Sequence, residues 1–267
     1  MTAPQRPRRS GRRRKQKRKS TRRLSKGRAP VAAQKFAARA VSFLRLTAIA
    51  IGCAIIFSVI WALAYRFAEP PGSFVMVARS MEGEAVNHPW TPLEAISPNL
   101  IRAVIAAEDT RFCLHSGIDF DAIEKAVEEK KQGKRLRGAS TISQQTAKNA
   151  FLWNGGGWAR KAVEAWMTVL IETFWPKRRV MEVYLNLAEW GDGHFGAEAA
   201  AQARFGKSAA QLTAREAALL AAVLPSPNKW RADRPGPYVR RRAATVESRA
   251  RQVRRDRLDR CVLGERR

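Results

Sequence analysis

The amino-acid sequence predicts a mostly α protein, with a single N-terminal transmembrane helix ahead of one helical domain. Three observations carry that reading. Twenty uncharged residues run unbroken from Leu46 to Tyr65. Beyond residue 96, apolar residues recur at helical spacing and no alternating strand pattern competes with them. The formal charge, +27 over 267 residues, is gathered at the two ends. Residues 1–45 hold 17 of the 50 Lys and Arg and no acidic residue, while residues 66–230 are nearly neutral.

Taken in order, the basic segment 1–45 has the composition of a disordered orientation signal that also touches anionic lipid head groups. The span 46–65 follows. At ~1.5 Å per helical residue it covers ~30 Å, the thickness of a hydrocarbon core. Trp61 and Tyr65 stand near its far end, where aromatic rings favour the membrane boundary. A cleaved signal peptide is the alternative, but the run is long for a signal core and no clear A-x-A site follows. The positive-inside rule puts the N-terminus in the cytoplasm and residues 66–267 across the membrane. Residues 66–95, rich in Pro, Gly and aromatic residues, read as a linker with a short strand at Ser73 to Ala78.

The domain at 96–230 opens with Ser97-Pro98, an N-cap and first-turn proline. Leu100, Ile101, Val104 and Ile105 then mark one helix face ending at Glu108-Asp109. Further helices are expected over 119–132, from near Ser140, from Arg160 to Phe174, and over about 177–189. A last one opens on the capping box Thr213–Glu216 and stops before Pro225. The tail 231–267, with 13 basic and 5 acidic residues, suits contact with anionic lipid and is assigned no chemistry. Three cysteines are too few and too scattered for a disulfide scaffold or a Cys-based zinc site. A Cys113–Cys261 pair is allowed in an oxidising compartment, though nothing in the sequence demands it. Nucleic acid is not expected as a partner, because no aromatic residues interleave the basic runs to stack bases.

Three segments carry candidate chemistry. EDTRFCLHSGID, Glu108 to Asp119, puts a carboxylate pair at the end of an apolar helix. Burial of Glu108 and the like charge of Asp109 should raise its pKa, as suits a general base; a solvated acidic helix end is the plain alternative. RGASTISQQTAKN, Arg137 to Asn149, concentrates hydroxyls and amides suited to sugar hydroxyls, with Lys148 suited to a phosphate; otherwise it is a polar loop. RKAVEAW, Arg160 to Trp166, places Arg160 and Glu164 on one helix face. They are either a surface ion pair contributing ~0.3–0.5 kcal/mol or a second carboxylate beside cations. Two stray matches are set aside. SPNK at 226–229 lacks the partner motifs of a penicillin-binding serine site, and FGKS at 205–208 lacks the first glycine of a P-loop.

In order along the chain, EDTRFCLHSGID, GASTISQQTAKN, RKAVE, YLNLAEWGDGHFGAEAAAQARFGK and LTAREAALLAAVLPSPNKW resemble the five signature motifs of the peptidoglycan glycosyltransferases, glycosyltransferase family 51. The match covers about 100–230 and is similar to the family's monofunctional biosynthetic branch in Gram-negative bacteria. The resemblance implies a lysozyme-like helical fold and an inner-membrane enzyme with a periplasmic catalytic domain. It implies polymerisation of lipid II onto a growing glycan chain, with inversion at MurNAc C1 and release of undecaprenyl pyrophosphate.

By the same resemblance, Glu108 is the catalytic base and Glu164 the second essential glutamate. Lys148, Arg160 and Lys161 face the donor pyrophosphate, and Asp109, Phe112, His115, Ser140, Thr141, Gln144, Gln145 and Asn149 complete the substrate-binding set. A divalent cation, Mg²⁺ or Mn²⁺, is expected mainly on the substrate's pyrophosphate. Membrane lipids, and cell-wall proteins of division or elongation, are the other expected partners. The chain departs from the family in two places. Gly156 stands where many members have an Arg, and Ala139 where they often have a second glycine. Gly155 to Gly157 would suit a flap that orders on substrate. The rival readings are a peptidoglycan-cleaving lytic transglycosylase or lysozyme-like enzyme, using a protonated Glu108 as acid, and a non-catalytic cell-wall scaffold.

Overall fold

A computed structural model describes residues 31–133 and 140–264; the first thirty residues of the basic head, and Arg137 to Ala139 of the second motif, lie outside the described residues. Two units are distinguished, Met1–Gly52 and Cys53–Arg267. Helix α1 runs Val31–Phe67. Its stretch Arg39–Phe67 is long and apolar enough to cross a membrane, alone among the described residues, and it is almost wholly exposed, unlike a core helix. The helical run therefore extends beyond the expected 46–65 at both ends.

Within the second unit, the segment expected to be a linker is folded. Ser73 accepts the Met76 N–H at 3.2 Å and caps α2 (Phe74–Met81), so the strand expected at Ser73 to Ala78 is a helix. Ser73 and Met76 are buried, with Val75 and Arg79 partly covered, a helical spacing. Val75 and Val77 alternate, but among the described residues there is no ladder for them to join. The described residues contain only isolated bridges, Asn87 with His194 and Glu189 with Phe195. Past α2, the side-chain amide of fully buried Asn186 pairs with both the N–H and the carbonyl of Thr91, fastening this segment to the body.

The helices of the body follow the expected order. Ser97 caps α3 (Pro98–Glu108), which buries Leu100, Ile101, Val104 and Ile105. Asp119 caps α4 (Phe120–Lys131), and α5 (Ile142–Phe151) opens on a capping box of Thr141 and Gln144. Helix α6 (Gly157–Phe174) precedes Pro176 and α7 (Lys177–Leu187). Helix α8 (Ala197–Phe205), inside the fourth motif, was not anticipated; α9 (Ala214–Val223) opens on Thr213 and Glu216 as expected.

The tail corrects a boundary. Residues 231–264 are no appendage, because α10 (Pro237–Arg255) packs against both α3 and α9. Val239, Ala243, Val246 and Val253 are buried at spacings of 4, 3 and 7, while the arginines occupy its other faces. Helix α11 (Arg260–Leu263) follows, and Cys261 is disulfide-bonded to Cys113 with Cα atoms 5.5 Å apart. Arg102 on α3 also pairs with Asp259 at 2.7 Å. The body thus has two helix groups, α3 with α9 and α10, and α5 with α6 and α7. Glu108 ends the first group and meets the second.

The end of α1 belongs to this unit too. Trp175 Nε1 donates to the Ala62 carbonyl at 2.7 Å, Trp166 Nε1 to Ser58 Oγ at 3.0 Å, and Arg179 to the Tyr65 carbonyl. Phe151 stacks on Tyr65 and meets Trp61 edge-on.

Candidate active site

Glu108 projects from the last turn of α3 into a pocket of about 1130 Å³. Ser140 and Gln145 line one side; Ser226, Trp230 and a stripe of α10, Tyr238, Arg241, Arg242, Thr245 and Arg249, line the other. Gln145 Nε2 donates to Glu108 Oε2 at 2.9 Å, and Arg242 Nη2 lies 4.0 Å from Oε1. Burial drives the Glu108 pKa above the ordinary carboxylate range and Asp109 adds to the rise, while Gln145 and Arg242 oppose it. The rise expected from sequence is present, and burial is its main cause. Tyr184 on α7, wholly buried beside Gln145, has its phenol held neutral, mainly by burial and further by Glu108 and Asp109.

One turn further along α5 is a second cluster. Lys148 is three residues beyond Gln145, so the two share a helix face about 4.5 Å apart along the axis. Lys148 has its pKa lowered by burial, with Glu164 opposing and Arg160 and Lys161 adding to the effect. Glu164 is no surface residue: its side chain is 4% exposed, with Arg160 on one oxygen at 2.7 Å and Lys161 on the other. Gly156, the position where many family members carry Arg, sits at φ +84° as the N-cap of α6. A Cβ there would lie 2.9 Å from Arg160 Cβ, so a side chain at this position would displace Arg160 from its present place.

The remaining candidates divide. Ser140 is exposed at the pocket, and Asn149 is half-buried on α5. Thr141 and Gln144 are buried, and each caps α5. Thr141 also donates to the Gly117 carbonyl. Asp109 turns inward, where its carboxylate accepts the Ile142 N–H at 3.1 Å and faces His115 Nε2 at 3.0 Å. Phe112 is fully buried beneath the Lys177 ammonium. Asp109, Phe112, His115, Thr141 and Gln144 thus brace the site from behind in this structure rather than line its pocket. Conversely, the α10 stripe was missed, although the Val239–Ala243–Val246 spacing could have revealed it.

Beside Lys148 the nearby carboxylate is Glu164, both of whose oxygens are occupied by cations. Asp109, His115 and Asp119 bring ligand atoms within 4.8 Å of one another. Yet Asp109 is committed to His115 and Ile142, and Asp119 caps α4 beside Arg111. Neither set fits a protein-held Mg²⁺ or Mn²⁺.

Comparison with known proteins gives the same direction. The family model described as Transglycosylase matches residues 75–253. A biosynthetic peptidoglycan transglycosylase of Rhodospirillum centenum is 57% identical over 220 residues, 82% of this chain and 95% of that protein. Proteins of the same name from Caulobacter vibrioides and Xanthomonas campestris pv. campestris are each 54% identical, over 76% and 73% of this chain and 89% and 82% of theirs. The matched region covers most of α10, beyond the 96–230 expected for the domain. With the largely covered Glu108 carboxylate of α3 held by Gln145 on one turn of α5, with Lys148 on the next turn beside Arg160 and Lys161 of α6, and with these matches over most of its length, this chain belongs to the transglycosylase family.

Proposed function

We propose that this membrane-anchored enzyme polymerises lipid II into glycan strands. The observation that carries the reading is the pairing, across one turn of α5, of a base site at Glu108 with a cation site at Lys148, Arg160 and Lys161. The acceptor's GlcNAc 4-hydroxyl attacks C1 of the donor's terminal MurNAc. Glu108 takes the hydroxyl proton as the C–O bond forms, because a neutral alcohol is a weak nucleophile. The C1–O bond to pyrophosphate breaks with inversion, and the electron pair leaves on undecaprenyl pyrophosphate.

The departing group's negative charge is met by Lys148, Arg160 and Lys161. Glu164 holds the two α6 cations in place. Any divalent ion would arrive on the pyrophosphate, since among the described residues no carboxylate set near the site fits one. The basic head keeps the N-terminus in the cytoplasm, and the catalytic unit works on the periplasmic side of the inner membrane. Anchoring confines enzyme and lipid substrate to one surface and raises their effective concentration.

Purified full-length protein in detergent, given labelled lipid II and Mg²⁺, should yield a ladder of glycan chains on a gel. Glu108→Gln should bind lipid II and yield none. A ladder from Glu108→Gln would remove Glu108 as base. Digestion of preformed peptidoglycan in place of a ladder would hand the site to lytic chemistry, in which a raised-pKa Glu108 acts as acid.

A further inference from the structure

A general base must be ionised before it can accept a proton, yet Glu108 lies where burial favours the neutral acid. We propose, on the polymerase reading above, that Arg242 is a positioning residue that keeps the Glu108 carboxylate ionised and oriented toward the pocket. Arg242 lies in the C-terminal stretch to which the motifs assign nothing. Its Nε donates to the Ala222 carbonyl at 3.1 Å, near the end of α9, which fixes the plane of the guanidinium. Nη2 then stands 4.0 Å from Glu108 Oε1, while Gln145 holds Oε2 at 2.9 Å.

The two distances differ in meaning. At 2.9 Å the Gln145 amide occupies a lone pair. At 4.0 Å Arg242 is beyond the ~2.7–2.9 Å of a charge-assisted hydrogen bond, so its attraction is Coulombic and Oε1 keeps its lone pairs for the incoming proton. The other groups around Glu108 do not supply this charge from so fixed a position. Asp109, next on the chain, opposes ionisation. Tyr184 from α7 is neutral, α5 contributes the uncharged Gln145, and the nearby end of α9 contributes a carbonyl. Arg241 and Arg249 of α10 line the same pocket, but neither forms an ion pair with Glu108 among the described residues.

The test is the pH profile of kcat/KM for lipid II polymerisation by the full-length enzyme, for wild type, Arg242→Gln and Arg242→Lys. Loss of the positive charge should move the acid limb of Arg242→Gln to higher pH. Its deficit should then be roughly three- to tenfold larger at pH 5.5 than at pH 8. Arg242→Lys keeps the charge and should keep the wild-type acid limb even where its plateau falls. A limb unmoved in Arg242→Gln, or moved equally in both variants, overturns the role. Should Arg242→Gln fail to fold, Arg242→Lys against wild type decides: a retained limb supports the role and a displaced one overturns it. Wild-type protein that makes no glycan would defeat the polymerase reading itself, a result distinct from either.

Discussion

At the scale of single residues, Glu108 is placed against its own stability. A carboxyl whose folded pKa is raised binds its proton more tightly in the native state than in the unfolded chain. The native state is therefore penalised as pH climbs from the ordinary carboxylate range through the raised folded value. Glu108→Gln, which keeps an amide able to meet Gln145, should melt higher than wild type at pH 8. That advantage should shrink as pH falls below the window, read by thermal denaturation at both ends. Glu164 behaves oppositely. Its removal strands Arg160 and Lys161, and Glu164→Ala should cost about 1–2 kcal/mol in chemical denaturation. That is less than the ~3–5 kcal/mol of a fully buried pair, because Lys161 is 42% exposed and water can take over its solvation.

At the scale of elements, α5 is the ruler of the site. Its first turn is fixed by the Thr141–Gln144 capping box, by Asp109 receiving the Ile142 N–H, and by Thr141 donating to the Gly117 carbonyl. Gly117 accepts that bond at φ +88°, with room for no side chain: a Cβ would stand 2.8 Å from Thr168 Cγ2 and 2.9 Å from Glu172 Cγ. Gly117→Ala should therefore destabilise by about 2–3 kcal/mol through strain and overpacking combined. It should also lower polymerase activity in the molecules that remain folded, measured on a purified folded fraction. Helices were the most legible part of the sequence, since their faces and caps are local: Ser97 and Thr213 each cap where expected, and α5 begins within two residues of Ser140. The turn at Gly117 was not legible as a brace, because its partners come from α5 and α6.

For the whole molecule, the same division between local and distant information decides what was foreseen. Glu108, Lys148 and Glu164 stood out as candidates because each sits in a short motif. Arg242 was missed because its partners lie in α3 and α9, far along the chain, and because the density of arginine around it read as a surface for anionic lipid. The strand expected at Ser73 to Ala78 is a helix for a related reason: two valines alternate there, but among the described residues no neighbouring strand exists to pair with them. Cys113 and Cys261 were left unassigned for want of any local signal, and the fold brings them together across 148 positions. Changing both to Ser should lower stability by about 3–5 kcal/mol on the chain-entropy account. Denaturant curves would show the loss, and reductant should reproduce it in the wild type while leaving the double variant unchanged.

That bond joins the turn just after Glu108 to the last helix described, and it bears on timing. A polypeptide leaves the ribosome N-terminus first, so the anchor, Glu108 and the cations of α5 and α6 emerge before α10 and α11 exist. Until Cys261 arrives, Cys113 has no partner within the chain, and the wall of arginines facing Glu108 is missing. A nascent or prematurely ended chain can reach the membrane carrying every motif of the family and still lack a closed site. The pocket around Glu108 therefore closes only once α10 has been made and has packed onto α3 and α9.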